Sequence, residues 1–183
     1  MRIAVRLIFI FLMPSLFLLS CAGTISMTEP TKAKIIENVP FHPQEMFQCG
    51  PASLSEIFQF WGVIVPPEEI AGEIFSPSAK GTLTMDMVLY SERKGFEARP
   101  YKGDFEDLKK NVDRRHPLIV LVDYGFSLYQ KSHFMVLLGY TEDGVIAHSG
   151  KEPHKFISKK DFLRSWERTE FWTLLILPKG YAN

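Results

Sequence analysis

The hydrophobic pattern turns from mainly helical to mainly strand-like at His116, and that change constrains the fold more than any other feature of these 183 residues. Before it, apolar positions recur at helical spacing. Leu54, Ile57, Phe58 and Trp61 follow Pro51, a residue suited to a first helical turn, and Gly62 stops the run. Pro66 and Pro67 open a second helix carrying Ile70, Ile74 and Phe75. Residues 83–94 predict a third, with Met87, Val88 and Tyr90 in its apolar set and Gly95 as its stop. A short strand at 96–101 and a polar surface helix at 105–114 complete this half. After His116 the pattern is that of strands: a continuous run at 118–124, a loop at 125–131, a strand at 133–140, and a hairpin signal at Glu142-Asp143-Gly144 leading into 145–148. A loop at 150–153, strand residues Phe156 and Ile157, a helix at 159–167 capped by Ser158, and a last strand at 171–177 follow. Helices first and an antiparallel sheet behind them make an α+β arrangement.

The first twenty residues stand apart. Arg2 and Arg6 give a basic start, 7–19 is almost wholly apolar, and Ser20-Cys21 closes the run. The run is too short to span a bilayer and ends in small residues, so 1–20 reads as a secretory signal. Leu18-Leu19-Ser20-Cys21 resembles a bacterial lipobox. The resemblance implies that Cys21 is diacylated and becomes the new amino terminus; an ordinary cleaved signal and a short anchor are the plainer alternatives. Ala22 in the following place implies, in a Gram-negative envelope, the outer membrane. Residues 21–34, with Pro30 and several small polar residues, read as a lipidated tether, and 35–180 as one domain with its own core.

Lipid at Cys21 would leave Cys49 as the single free thiol of an exported chain. No disulfide can then form within the monomer, and an unpaired thiol in an oxidising compartment is a liability unless it does chemistry. The 21 basic and 21 acidic residues become 19 against 21 once Arg2 and Arg6 leave, a formal charge of −2 that gives no reason to expect a nucleic-acid partner. His42, His116 and His154 have no metal-ligand spacing with one another or with Cys49; they read as surface or loop residues, and neither metal nor cofactor is expected. Trp61, Trp166 and Trp172 read as core, Arg114-Arg115 and Lys159-Lys160 as solvated charge. The aromatic loop from Tyr124 to Tyr129 either lines a cleft or caps the sheet.

Cys49, just before Pro51, falls at the amino-terminal edge of the first helix. A thiol attacks as thiolate, and both the positive end of a helix dipole and a nearby imidazolium lower its pKa from the free value of about 8.5. The run Val39-Pro40-Phe41-His42-Pro43-Gln44, then Gln48-Cys49-Gly50-Pro51-Ala52-Ser53-Leu54, then Ser132-His133-Phe134-Met135-Val136-Leu137-Leu138-Gly139-Tyr140, resembles the bacteriocin-processing, or double-glycine-leader, peptidases of the papain-like cysteine peptidase superfamily. The resemblance covers 39–178. It implies a papain-like fold in which the helix bearing Cys49 packs against a strand that begins at His133. His133 is then base and acid, and Gln44 the oxyanion donor, five residues before the Cys where relatives often have six. Gln48 is a competing donor whose place beside Cys49 suits a helix-starting role better. Relatives usually carry an Asp at the third position of the catalytic set; by counting, Ser149 stands there. A hydroxyl can orient an imidazole but cannot stabilise imidazolium as a carboxylate would. His148 is a second candidate, on the other face of the strand by alternation.

Three functions fit these residues. The first is a thiol hydrolase of peptide bonds, lipid-tethered at the periplasmic face of a membrane and acting on a peptide or protein. Family members that cut leaders after paired glycines are fused to export transporters, whose spans are not seen here, so that substrate is not carried over. The second is a peptide-binding lipoprotein of an envelope or export assembly, catalytically weak or inactive, which Ser149 favours. The third is a cell-wall peptide amidase, although such enzymes usually start their site with Asp-Cys-Ser-Gly rather than Gln48-Cys49-Gly50-Pro51.

Overall fold

The computed structural model describes residues 32–44 and 47–181. The proposed signal at 1–20, the lipidation residue Cys21 and most of the 21–34 tether lie outside the described residues. The chain opens with a two-residue strand, β1 (Lys34–Ile35), then α1 (Cys49–Phe60) and α2 (Pro67–Ile74). A small hairpin, β2 (Phe75–Ser76) and β3 (Gly81–Thr82), leads to α3 (Thr84–Arg93), β4 (Phe96–Lys102) and α4 (Phe105–Asp113). The sheet half comprises β5 (Leu118–Asp123), β6 (Ser132–Thr141), β7 (Gly144–Ser149) and β8 (Glu152–Ser158), then α5 (Lys159–Glu167) and β9 (Trp172–Pro178).

Seven strands form the main antiparallel sheet in the order β4-β9-β5-β6-β7-β8, with β1 pairing onto β6 outside that path, and β2 and β3 form a separate two-stranded sheet. From Phe134 to Tyr140 every residue of β6 is buried. Both alternating sets of side chains are therefore covered, and the strand reads as an unbroken apolar run rather than as an alternation. Helix α1 packs on β6 and β5, while α5 packs on β5, β7 and β8. Helix α1 is buried continuously from Gly50 to Phe58, a core helix enclosed by α2, α3 and the sheet. The sequence signals for the helix ends have the local geometry they require. Pro67 is the first residue of α2, Ser158 caps α5 by accepting the Asp161 N–H at 3.2 Å, and Gly62 and Gly95 close α1 and α3 at φ 86 and 92. A cap that the sequence reading passed over, Asp104, accepts the Asp107 N–H at 2.8 Å and starts α4.

Four expectations are corrected. Phe75 is not part of α2: it leaves the helix in an extended conformation, pairs with Thr82 and is partly exposed. The 150–153 loop shortens to a tight turn, because Glu152 already pairs with Ser149. His116 is not a surface residue. It is 3% exposed, held between the rings of Trp61 and Tyr181, and burial lowers its pKa. Trp61 and Trp172 are only partly buried, packed against the core rather than within it, and Trp172 lies edge-on to Phe134. No helix among the described residues is long and apolar enough to cross a membrane.

Candidate active site

Cys49 is the first residue of α1, and Gln48 occupies the N-cap position without a side-chain capping bond. The opening N–H groups of the helix therefore have no side-chain cap, as at any uncapped helix start. Three N–H groups, those of Phe134, Gly50 and Cys49 itself, act on the sulfur. Phe134 is available because β7 pairs with β6 only from Val136 onward. Its backbone beyond that point faces the site: the N–H meets the thiol, and the carbonyl meets the Gln44 side-chain Nε2 at 3.5 Å. A residue whose chain neighbour is His133 thus touches both Cys49 and Gln44.

Gln44 is buried and fixed from the other side. Its Oε1 accepts the Gly150 N–H at 3.0 Å, and its own N–H donates to the Gly150 carbonyl at 2.9 Å. Because the Gly150 N–H can only donate, the amide end that meets it is oxygen, and the NH2 group is directed toward Phe134. Gly150 adopts φ 64, a conformation that suits glycine, and so turns the chain sharply enough to offer both backbone groups to Gln44.

His133 lies near the start of β6, opposite Val122. Its Nε2 is 3.0 Å from the Ser149 hydroxyl, so the residue that stands where relatives carry an acid does meet the imidazole. With Nε2 engaged, Nδ1 is the nitrogen left to exchange a proton with a thiol. Tyr124 joins this pair: its ring centroid is 5.8 Å from that of His133, and the Ser149 hydroxyl partly offsets the upward push that burial gives its phenol. If Ser149 directs its one hydrogen to Tyr124, its lone pairs remain to accept Nε2–H, which puts the free lone pair on Nδ1.

The electrostatics favour the neutral forms. Burial pushes the Cys49 thiol up, and the three N–H groups pull it back without cancelling the effect. Burial, then the charges of Lys155 and Lys131, push His133 down to about 4. A carboxylate at position 149 would counter the downward shift of His133 directly, as a serine does not. With the thiol shifted up and the imidazole shifted down, the neutral form of each is favoured at rest.

Two neighbours of these residues carry little signal in the sequence. Tyr124 falls within an aromatic loop, and Glu56 is marked only as the one charged residue in the twelve of α1. His148, the second candidate for the acid position, bonds through Nδ1 to Glu56 at 3.1 Å and not to His133. Gln48 makes no side-chain capping bond. Among the described residues no three His, Cys, Asp or Glu are grouped so as to hold a metal.

Residues 36–173 match the model of the Peptidase_C39 like family. The chain belongs to that family. It is similar to the peptidase domain of Streptococcus ComA, a bi-functional ABC transporter involved in a quorum sensing pathway, with a TM-score of 0.65, 24% identity, and coverage of 77% of this chain and 99% of that one. It is similar also to a double glycine motif protease from an AMS/PCAT transporter, solved in complex with the leader peptide, at TM-score 0.61 and 22% identity over 77% of this chain and 92% of that one. These likenesses show the fold, a papain-like arrangement of helices on an antiparallel sheet. A probable functional amyloid protease, FapD, of Pseudomonas fluorescens is 28% identical over 142 residues, 74% of this chain and 58% of its own length. The chain spans about three fifths of the length of the curated relatives it matches.

Proposed function

We propose that this C39-like chain is a cysteine peptidase that hydrolyses peptide bonds through Cys49, with His133 as general base and acid, Gln44 as oxyanion donor and Ser149 as the group that orients His133. The Cys49 sulfur adds to the scissile carbonyl carbon as its proton passes to His133 Nδ1. The carbonyl oxygen, now negative, takes the NH2 of Gln44 and the N–H at the start of α1. The carbon–nitrogen bond breaks as His133 returns the proton to the leaving amine, which leaves a thioester. Water then attacks, gives a proton to His133, and releases the acid and the free thiol. The observation that carries this reading is the convergence on Phe134 of Cys49 and Gln44, beside His133 bonded to Ser149.

In this reading Cys21 carries lipid and holds the enzyme at the periplasmic side of the outer membrane, where it acts on a peptide or protein. Solved relatives include a protease in complex with its leader peptide, which supports a peptide substrate here. The downward shift of His133 and the upward shift of Cys49 favour a second reading, a peptide-binding lipoprotein of an envelope assembly with little or no turnover.

Alkylation by iodoacetamide at pH 7, followed on the mature chain and on Cys49→Ala and His133→Ala variants, separates them when paired with turnover of a peptide library. A catalytic site gives cleavage that both variants abolish, and alkylation of Cys49 that slows without His133. Cleavage of no peptide, with alkylation indifferent to His133, selects the binding module. Cleavage confined to peptidoglycan fragments would select a cell-wall amidase.

A further inference from the structure

Glu56 and Cys49 are seven residues apart on α1, two turns, so they share one face about 10 Å apart along the axis. Both side chains of the pair Glu56 and His148 are wholly inaccessible to solvent. Glu56 Oε2 lies 3.1 Å from His148 Nδ1, on β7 immediately before Ser149. Glu56 Oε1 accepts the N–H of His42 at 3.0 Å, two residues before Gln44. The His42 ring returns to α1 through Gln59 at 3.0 Å. One carboxylate therefore bonds the two segments that deliver Gln44 and Ser149, from the helix that delivers Cys49.

A buried ionisable pair is weak evidence for stability, since apolar residues of the same volume often serve as well. Burial raises the Glu56 pKa against the pull of His148 and the His42 N–H, so the position is a costly place for an acid. Apolar side chains there would fill the space but leave the three segments free to shift against one another. The His148 ring has no other anchor by hydrogen bond, because its Nε2 is buried without a partner among the described residues. We infer that Glu56 is a positioning residue: through His148 and His42 it sets the distance of Ser149 and Gln44 from the thiol on its own helix.

The inference rests on the proposed peptidase reading. It is tested in the mature chain by Glu56→Leu and Glu56→Gln, with Leu108→Ala in α4 as a control for lost stability. Misplacing reacting groups by about 1 Å costs about 10²-fold in rate. Glu56→Leu is expected to lower kcat about that much with KM little changed, and to make Cys49 alkylation equally fast with and without His133→Ala. Glu56→Gln keeps an acceptor for the His42 N–H and can donate to His148 Nδ1, so it recovers most of kcat. Leu108→Ala, at a temperature where it is folded, leaves kcat and the His133 dependence unchanged. The inference is overturned by wild-type kcat in folded Glu56→Leu, by an equal fall in Leu108→Ala, or by Glu56→Gln failing alongside Glu56→Leu. If Glu56→Leu does not fold, His148→Phe keeps the bulk and removes the bond; a fall in kcat with KM retained supports the inference and an unchanged kcat overturns it. Wild-type protein that shows neither turnover nor His133-dependent alkylation overturns the peptidase reading and the inference together, whereas the variant outcomes bear on Glu56 alone.

Discussion

At the scale of single residues, the proposed mechanism makes the reactivity of the thiol at rest depend on position 149. His133 is pushed down to about 4 by burial and by Lys155 and Lys131, and the hydroxyl of Ser149 supplies a hydrogen bond at 3.0 Å without a charge to oppose them. Ser149→Asp places a carboxylate at that bond. An adjacent opposite charge raises an imidazole pKa by about 1 to 3 units, which in turn favours the thiolate. Alkylation of Cys49 at pH 6 to 7 is therefore expected to accelerate about tenfold or more, and an NMR titration of His133 should follow it upward; an unchanged titration would mean that the carboxylate pairs with Lys155 instead. The same depressed value has a consequence for folding. Between its ordinary 6.5 and about 4, residue 133 is protonated in the unfolded chain and neutral in the folded one. Stability is thus complete above pH 6.5 and is lost as pH falls toward 4, by about 3 kcal/mol at most for this one group. Denaturant midpoints at pH 7 and pH 4.5 should differ less in His133→Gln than in the wild type.

At the scale of elements, the thiol is held in place by how α1 meets its neighbours. A Cβ added to Gly50 would lie 2.8 Å from Thr82 Cβ and 2.9 Å from Thr82 Oγ1, so the β2–β3 hairpin closes over the first turn of the helix only because position 50 has no side chain. In an exposed helix Gly→Ala gains about 1 kcal/mol. Here the contact decides the sign, and Gly50→Ala is expected to displace the helix start and lower kcat, with Gly50→Ala/Thr82→Ala restoring most of it; activity unaffected by the single change would show that the hairpin yields. The loop that follows β5 is fixed as firmly. Burial would raise the Asp123 pKa, but the N–H groups of Lys131 and Gly125 and the Arg168 guanidinium outweigh it, with Oδ1 2.7 Å from both N–H groups and Oδ2 2.8 Å from Arg168. These bonds pin the ends of the 124–131 loop, which exposes Phe126, Leu128 and Tyr129 and sets Tyr124 against His133. Elements long enough to show a period were legible in the sequence: α1, α3, β5, β6 and α5 lie close to where spacing, prolines and caps put them. The two-residue strands β1, β2 and β3 were not, because a period of two cannot be read from two residues. The bond between Glu56 and His148 joins positions 92 apart, so its only local trace was a lone acid in an apolar helix. Likewise, His116 is buried by rings from distant stretches, which its own neighbours do not announce.

At the scale of the whole molecule, the candidate site exists only where the two halves meet, since Cys49 comes from the helical half, His133 and Ser149 from the sheet, and Gln44 from the segment that precedes both. The motif residues could be read separately, and the family resemblance tied them together before any distance was known; the contact surfaces that join them could not be read, because packing depends on the finished fold. The same layout bears on the proposed lipid anchor. Lys34 pairs with Tyr140, seven residues along β6 from His133 and so roughly 23 Å away at strand rise. The chain from Cys21 to Lys34 reaches at most about 45 Å when extended. A lipid on Cys21 would then hold the domain close to the bilayer by the end of β6 remote from the candidate site, leaving that site open to substrates in solution. Cys21→Ser, expressed with its own leader in a Gram-negative host, is expected to move the protein from the membrane fraction to the soluble periplasm, with kcat/KM on a soluble peptide unchanged. Retention of Cys21→Ser in the membrane would defeat the lipid anchor, and a fall in kcat/KM on release would mean that the membrane takes part in presenting the substrate.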